Sequence, residues 1–156
     1  MRFVCPLIVV DDIARSRKFY EEVLWQEVEF DFGQDVSFKG SFAIHLKDHY
    51  KTLLGGQDHE ILHRANNMEL YFETEDVAGD CERLKLANVD FVHELMEQPW
   101  GQRVVRFYDP DGHIVEIGET MQAVVLRFHK EGYSIEEICQ KSSMPKEFVD
   151  MVVKDK

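Results

Sequence analysis

The chain has 156 residues, 44% of them hydrophobic, and a formal net charge of −12 at pH 7. This length suits one domain or two small fused modules that share enough apolar residues to build a core. No apolar run approaches the roughly 20 residues that a membrane span requires, and so negative a chain repels phosphate backbones and anionic lipids. We therefore expect neither a membrane nor a nucleic acid as partner.

The cysteines indicate a reducing compartment. Cys5, Cys81 and Cys139 are odd in number and far apart in the sequence. Such usage is typical of free thiols in the cytoplasm rather than of a disulfide framework. The first residues also lack the basic, apolar and small-residue regions of a signal peptide. We expect a cytoplasmic protein.

The first third of the chain predicts one strand, one helix and three more strands. An apolar strand is predicted over 3–10, and Asp12 can then cap a helix by accepting from free backbone N–H groups. Tyr20 and Leu24 lie at helical spacing after it. Further strands are predicted over 27–32, 35–39 and 41–47, separated by glycines.

The same order of elements recurs in the second third. The tripeptide Asp12-Ile13-Ala14 returns as Asp76-Val77-Ala78, after a strand predicted over 68–74. A helix with apolar residues at Val77, Cys81 and Leu84 follows. Three more strands are predicted over 90–94, 103–108 and 113–118. The pattern predicts two βαβββ modules, at 1–48 and 67–119, with residues 49–66 as linker.

The linker has no clear period, and long connections of this kind are often functional. His59 and His63 have the spacing that would place two rings on one face of a helix as metal ligands. The alternative is a solvated linker, because nothing apolar anchors the segment.

The hairpin over 100–117 is the most informative stretch. Asp109-Pro110-Asp111-Gly112 forms its turn, since proline presets φ at one position and glycine permits φ > 0 at another. We expect His113, beside the turn, to be exposed. Glu116 lies in the middle of an apolar strand, where a carboxylate needs a proton, a partner or a metal ion. Arg103 and Arg106 are candidate partners.

Residues 120–156 form a helical C-terminal extension to a domain that spans 1–119. Three helices are predicted, and Ser134 with Glu137 has the form of a capping box. The last two helices could form a helix-turn-helix, but the final one carries two lysines against three acidic residues, unlike a recognition helix. We interpret the extension as a packing or dimer-capping appendage.

Two stretches of the sequence resemble the vicinal oxygen chelate superfamily, which includes glyoxalase I, bleomycin-resistance proteins and extradiol dioxygenases. They are residues 10–20, followed by Val23-Leu24, and residues 109–116. The resemblance covers about residues 3–119. It implies an α+β fold in which the curled mixed sheets of two βαβββ modules surround a cavity, and it implies a homodimer.

The resemblance also implies a divalent metal site. The positions that match the family's ligand slots are Cys5, His45, Glu69 and Glu116. This set departs from the family pattern, because the first slot holds cysteine and because histidine and glutamate are exchanged between the second and third. Zn²⁺, Ni²⁺, Mn²⁺ or Fe²⁺ could suit these donors, and the sequence does not decide between them. The alternatives are structural roles: Glu116 pairs with an arginine, His45 bonds a neighbour, Glu69 lies in water and Cys5 is a buried apolar residue.

Two functions follow from the resemblance. The first is a metal-dependent lyase or isomerase that acts on a small α-hydroxy or α-keto compound. In it the ion binds two neighbouring oxygens and Glu69 or Glu116 serves as the catalytic base. The second is a metal-free small-molecule binding protein of the bleomycin-resistance kind, which holds a bulky and often cationic ligand.

Overall fold

The computed structural model describes residues 1–40, 42–56 and 59–154, and it has an α+β fold. The elements follow one another in the order β1 (Leu7–Val10), α1 (Ile13–Glu22), β2 (Val28–Asp31), β3 (Asp35–Phe38), β4 (Phe42–Leu46), α2 (Lys47–Leu53), β5 (Glu69–Thr74), α3 (Val77–Leu86), β6 (Asp90–Glu97), β7 (Arg103–Tyr108), β8 (Ile114–Glu119), α4 (Met121–Lys130), α5 (Ile135–Ser142) and α6 (Lys146–Lys154). Two compact units result: Met1–Glu69 with Tyr108–Ile114, and Leu70–Phe107 with Val115–Lys156.

The internal repeat is confirmed by the strand order. The first sheet has the order β1-β4-β3-β2, and the second has the equivalent order β5-β8-β7-β6. In the first sheet β1 pairs with β4 in parallel, whereas β4, β3 and β2 are antiparallel neighbours. Each module is therefore a βαβββ unit whose first and last strands lie side by side.

The first unit has its core between α1 and one face of the first sheet. The Asp12 side chain caps α1 by accepting from the backbone N–H of Arg15 at 3.0 Å. Eight residues on, Tyr20 is fully buried, and its ring packs on Phe38 and Phe42 with centroids 5.6 and 5.0 Å away. Side chains alternate along a strand, so Ser37 on β3 and Ala43 on β4, each next to one of these phenylalanines, lie on the opposite face of the sheet. We call that the open face.

The helix of the second module repeats this design. Asp76 caps α3 by accepting from the backbone N–H of Gly79 at 3.0 Å. Val77, Cys81 and Leu84 are buried, as their spacing predicts. The caps and the apolar spacing together account for why both helices begin after an aspartate.

The predicted linker differs from expectation at both ends. Helix α2 follows β4 directly and occupies the first residues of the predicted linker. It ends before Gly55, whose φ of +89° an L side chain rarely adopts. The described residues 59–66 contain no helix, since Arg64 and Asn66 both have positive φ. The hypothesis that His59 and His63 share a helical face is therefore wrong. Their rings instead bond the carbonyl oxygens of Leu54 and Asp111, at 3.2 and 2.8 Å.

The C-terminal extension is helical, as predicted. Thr120 caps α4, and the capping box of Ser134 with Glu137 opens α5. The three helices share an apolar core of Val124, Val125, Phe128, Ile138, Val149 and Val152. Burying each such side chain contributes about 1.5–3 kcal/mol, so the extension has a core of its own. Among the described residues, no helix is long and apolar enough to cross a membrane.

Candidate functional site

The turn after β7 is held by a buried polar network that we call the turn network. Tyr20 donates from its hydroxyl to Oδ2 of Asp109 at 2.8 Å. The other oxygen of Asp109 accepts from the backbone N–H groups of Asp111 and His113, at 2.9 and 2.8 Å. The ring of His113 also lies against this carboxylate, with Nδ1 at 3.0 Å from Oδ2. The expectation that His113 is exposed is wrong, because this ion pair holds it half-buried.

Asp111 joins the same turn to helix α1. Its Oδ1 accepts from the backbone N–H of Asp11 at 2.8 Å and from Arg15 at 2.5 Å, and its Oδ2 accepts from the hydroxyl of Ser16 at 2.5 Å. The two stretches that carry the family resemblance therefore bind each other. Their aspartates have a structural role, which sequence reasoning could not assign because the partners are about a hundred residues apart in the chain.

The ion pair in this network shifts the pKa of both of its groups, Asp109 and His113. Burial alone would raise the pKa of Asp109, but the bonds from His113 and Tyr20 outweigh it and hold that pKa below its usual value. Burial alone would lower the pKa of His113, but the carboxylate of Asp109 outweighs it and raises that pKa. The charged pair is thus favoured over the neutral one.

A second polar cluster lies on the open face of the first sheet. His45 on β4 is 4% exposed and stands directly opposite Asp35 on β3. Nε2 of His45 lies 2.8 Å from Nδ1 of His49, with the two rings stacked 4.9 Å apart. Nδ1 of His45 is 3.8 Å from Oδ2 of Asp35. Burial lowers the pKa of His45, and Asp35 only partly offsets this, so the neutral form of the ring is favoured.

Three side chains of this face carry buried polar atoms without a hydrogen-bond partner among the described residues. They are Oδ1 of Asp35, Oγ of Ser37 and Nδ1 of His45. Asp35 and Ser37 are two apart on β3, and His45 lies across from Asp35, so all three share one face. We call them the polar row. An unsatisfied buried polar group costs about 1–3 kcal/mol, which a ligand could recover.

An apolar pocket adjoins the polar row at Ser37. It encloses about 180 Å³ and is lined by Val4, Cys5, Glu29, Phe30, Ser37, Phe38 and Phe42. Cys5, the predicted first-slot ligand, is a half-buried free thiol here.

Sequence reasoning missed Asp35 and Ser37. Their polar alternation along a short strand was visible, but their pairing with His45 depends on a register that the sequence does not reveal.

Glu116 is buried in the second unit and pairs with Arg106 on the neighbouring strand. Arg106 also lies 3.3 Å from the ring of His93. The alternative in which Glu116 pairs with an arginine is therefore confirmed for Arg106. Gln102, which sequence reasoning did not single out, bonds Trp100 and Tyr71 in the same unit, at 3.0 and 2.8 Å.

The four predicted ligands are divided between the two units, with Cys5, His45 and Glu69 in the first and Glu116 in the second. Among the described residues, no three His, Cys, Asp or Glu side chains form a group that could hold one. Nε2 of His45 is engaged by His49, and a guanidinium faces Glu116. Glu69 is exposed and lines an open pocket of about 370 Å³ that shares no lining residue with the pocket of Cys5. The four-ligand site stays a prediction, and no metal-dependent step is derived from it.

Comparison with known proteins identifies the family. The model of the family described as "Glyoxalase-like domain" matches residues 3–122. A search of curated protein sequences gave no match. A crystal structure of a protein of unknown function from Agrobacterium tumefaciens str. C58 is 44% identical, covering 77% of this chain and 94% of that one, with a TM-score of 0.69.

Two further solved structures are more distant. A member of the glyoxalase/bleomycin resistance protein/dioxygenase superfamily from Sphaerobacter thermophilus DSM 20745 is 25% identical, with a TM-score of 0.60 over 77% of this chain and 98% of that one. A lactoylglutathione lyase from Agrobacterium tumefaciens is 21% identical, with a TM-score of 0.59 over 76% and 94%, and shows the fold alone. The chain therefore belongs to the glyoxalase-like domain family of the vicinal oxygen chelate superfamily.

Proposed function

We propose that this protein is a metal-free binding protein for a small amphipathic molecule, which lies on the open face of the first sheet. The observation that carries the proposal is the polar row of Asp35, Ser37 and His45 beside an apolar pocket that shares Ser37. Ligand sites typically combine an apolar lining with a few polar groups that orient the ligand. At about 180 Å³, the pocket suits a small ligand or one end of a larger one.

The pairing of Glu116 supports a role without metal. A guanidinium close to a carboxylate neutralises it and repels any cation that approaches the same oxygens. Two like unit charges 4 Å apart repel by about 4 kcal/mol at the effective dielectric near a protein surface, and a dication doubles that. A metal-dependent lyase or isomerase with Glu69 or Glu116 as base would first have to displace Arg106.

The overall charge supports a cationic or neutral ligand over an anionic one. A net charge of −12 attracts cations to the surface and slows the approach of anions. Glu29 adds a carboxylate to the pocket lining itself. Phe30, which lies opposite Ser37 on β2, and Val4 supply the apolar part of the lining.

Thermal stability of chelator-treated protein tests the proposal. We expect Mn²⁺, Ni²⁺ and Zn²⁺ to leave the melting temperature unchanged, and small aromatic probes with polar heads to raise it, because a ligand that binds only the folded state stabilises it. The probes are 2-phenylethylammonium, 2-phenylethanol and 3-phenylpropionate. Stabilisation by a metal alone would overturn the proposal in favour of the lyase or isomerase.

Dimer formation stays a prediction of the family resemblance. We expect light scattering coupled to size-exclusion chromatography to give twice the chain mass of 18.3 kDa. A mass of one chain would contradict it.

A further inference from the structure

We propose that the polar row binds a primary ammonium group whose apolar body fills the adjoining pocket. This inference rests on the proposed function and specifies the head group of the ligand. It starts from the atoms that lack partners among the described residues: Oδ1 of Asp35, Oγ of Ser37 and Nδ1 of His45.

All three atoms can accept hydrogen bonds at once. The carboxylate of Asp35 accepts only, and a serine hydroxyl accepts as well as donates. A neutral His45 that donates from Nε2 to Nδ1 of His49 leaves its own Nδ1 as an acceptor. A ligand group that satisfies three acceptors must carry three donors, and a primary ammonium carries three N–H donors and no acceptor.

The positions of the acceptors suit a compact cation. Nδ1 of His45 lies 3.8 Å from Oδ2 of Asp35, the second oxygen of the carboxylate whose Oδ1 lacks a partner among the described residues. The two side chains are therefore close enough for one nitrogen to contact both. Ser37 is the diagonal neighbour of His45 across β3 and β4. One ligand group can span the distance between such diagonal neighbours. It also lines the pocket, so the row of acceptors ends where the space for the apolar body begins.

The surroundings favour an ammonium over a neutral or anionic head. The half-buried carboxylate of Asp35 gains a charged partner, and hydrogen bonds between charged groups are about twice as strong as those between neutral groups. Among the salt bridges in the described part of the chain, Asp35 is paired only with the neutral His45. An anionic head would instead place two negative charges side by side.

Titration calorimetry with three matched probes tests the inference. We expect 2-phenylethylammonium to bind at least tenfold more tightly than its neutral analogue 2-phenylethanol, and 3-phenylpropionate to bind most weakly. The variant D35N should reduce the affinity for the ammonium probe about tenfold and change that for the alcohol by less than twofold. The control is E22Q, an exposed carboxylate on α1 with no place on the open face.

The outcomes separate the two proposals. Equal affinity for the ammonium and the alcohol, or an unchanged affinity in D35N, overturns the ammonium assignment while the binding function stands. Failure of all three probes to bind overturns both. Circular dichroism of D35N and a melting temperature within a few degrees of the parent establish that any loss of binding is not a loss of fold.

Discussion

Two buried polar clusters lie in the first unit, and they differ in how completely their atoms are satisfied. In the turn network, all four carboxylate oxygens of Asp109 and Asp111 accept hydrogen bonds from the chain itself. In the polar row, Asp35, Ser37 and His45 each keep a buried atom without a partner in the described structure. A satisfied network stabilises the fold, whereas an unsatisfied one costs free energy that a ligand can recover. The two stretches of the family signature therefore hold the scaffold together, and we propose that the ligand site is at the polar row.

Removing Asp109 should have the largest effect on stability. The variant D109A leaves the fully buried hydroxyl of Tyr20 and the ring of His113 without their acceptor. Breaking a buried charged pair from one side costs about 3–5 kcal/mol in the free energy of unfolding. Urea denaturation measures this, with D35A as the matched control because its carboxylate is not fully bonded. Equal losses in the two variants would remove the distinction between the clusters.

Removing one hydroxyl from the turn network should have a smaller effect. The variant Y20F deletes the donor to Oδ2 of Asp109 but keeps the ring that packs on Phe38 and Phe42. We expect a loss of about 1–2 kcal/mol in the same urea experiment. A loss below 0.3 kcal/mol, the scale of scatter between independent sites, would contradict the account.

The corresponding change in the polar row should have the opposite sign. The variant S37A removes a buried hydroxyl that has no partner in the described residues. The free energy of unfolding should stay the same or rise by up to about 1 kcal/mol, while binding of 2-phenylethylammonium weakens. A destabilised S37A protein would show that the hydroxyl is already satisfied in the folded state.

The two histidines should make opposite contributions to the pH dependence of stability. The pKa of His113 is raised on folding, so its contribution is complete below about pH 6.5 and is lost as the pH rises through the folded pKa. The pKa of His45 is lowered, so stability is lost as the pH falls from about 6.5 toward the folded pKa. Urea denaturation at pH 5 to 8 gives the free energy of unfolding as a function of pH. H113Q should flatten the alkaline side of that curve, and H45Q should flatten the acid side. No change in either slope would contradict these assignments.

Much of the fold was accessible from local sequence signals. The repeated aspartate caps, the spacing of Tyr20 and Leu84 and the capping box at Ser134 each act within a few residues, and each lies where it was predicted. Helix α2 was missed because its sequence, Lys47 to Leu53, shows no apolar period, and none of its residues is buried. Local signals therefore identify elements that carry their own cap or apolar stripe.

The site was less accessible because it depends on strand register. His45 was singled out as a candidate ligand, but its partner Asp35 becomes visible only when β3 and β4 are paired. The role of Glu116 turned on a choice between two arginines that the sequence left open, and strand pairing selects Arg106. A one-residue slip would move each of these side chains to the other face, so the sequence of a single strand cannot decide such contacts.

An amide NMR titration tests the central claim most directly. Chelator-treated, ¹⁵N-labelled protein is titrated with 2-phenylethylammonium, and the backbone signals of both clusters are followed. The account predicts saturable shifts at Asp35, Ser37 and His45, and none at Asp109 and Asp111. Of the two clusters, only the polar row has buried atoms without a partner in the described structure. Shifts confined to the turn network, or no saturable shift on the open face, would contradict it.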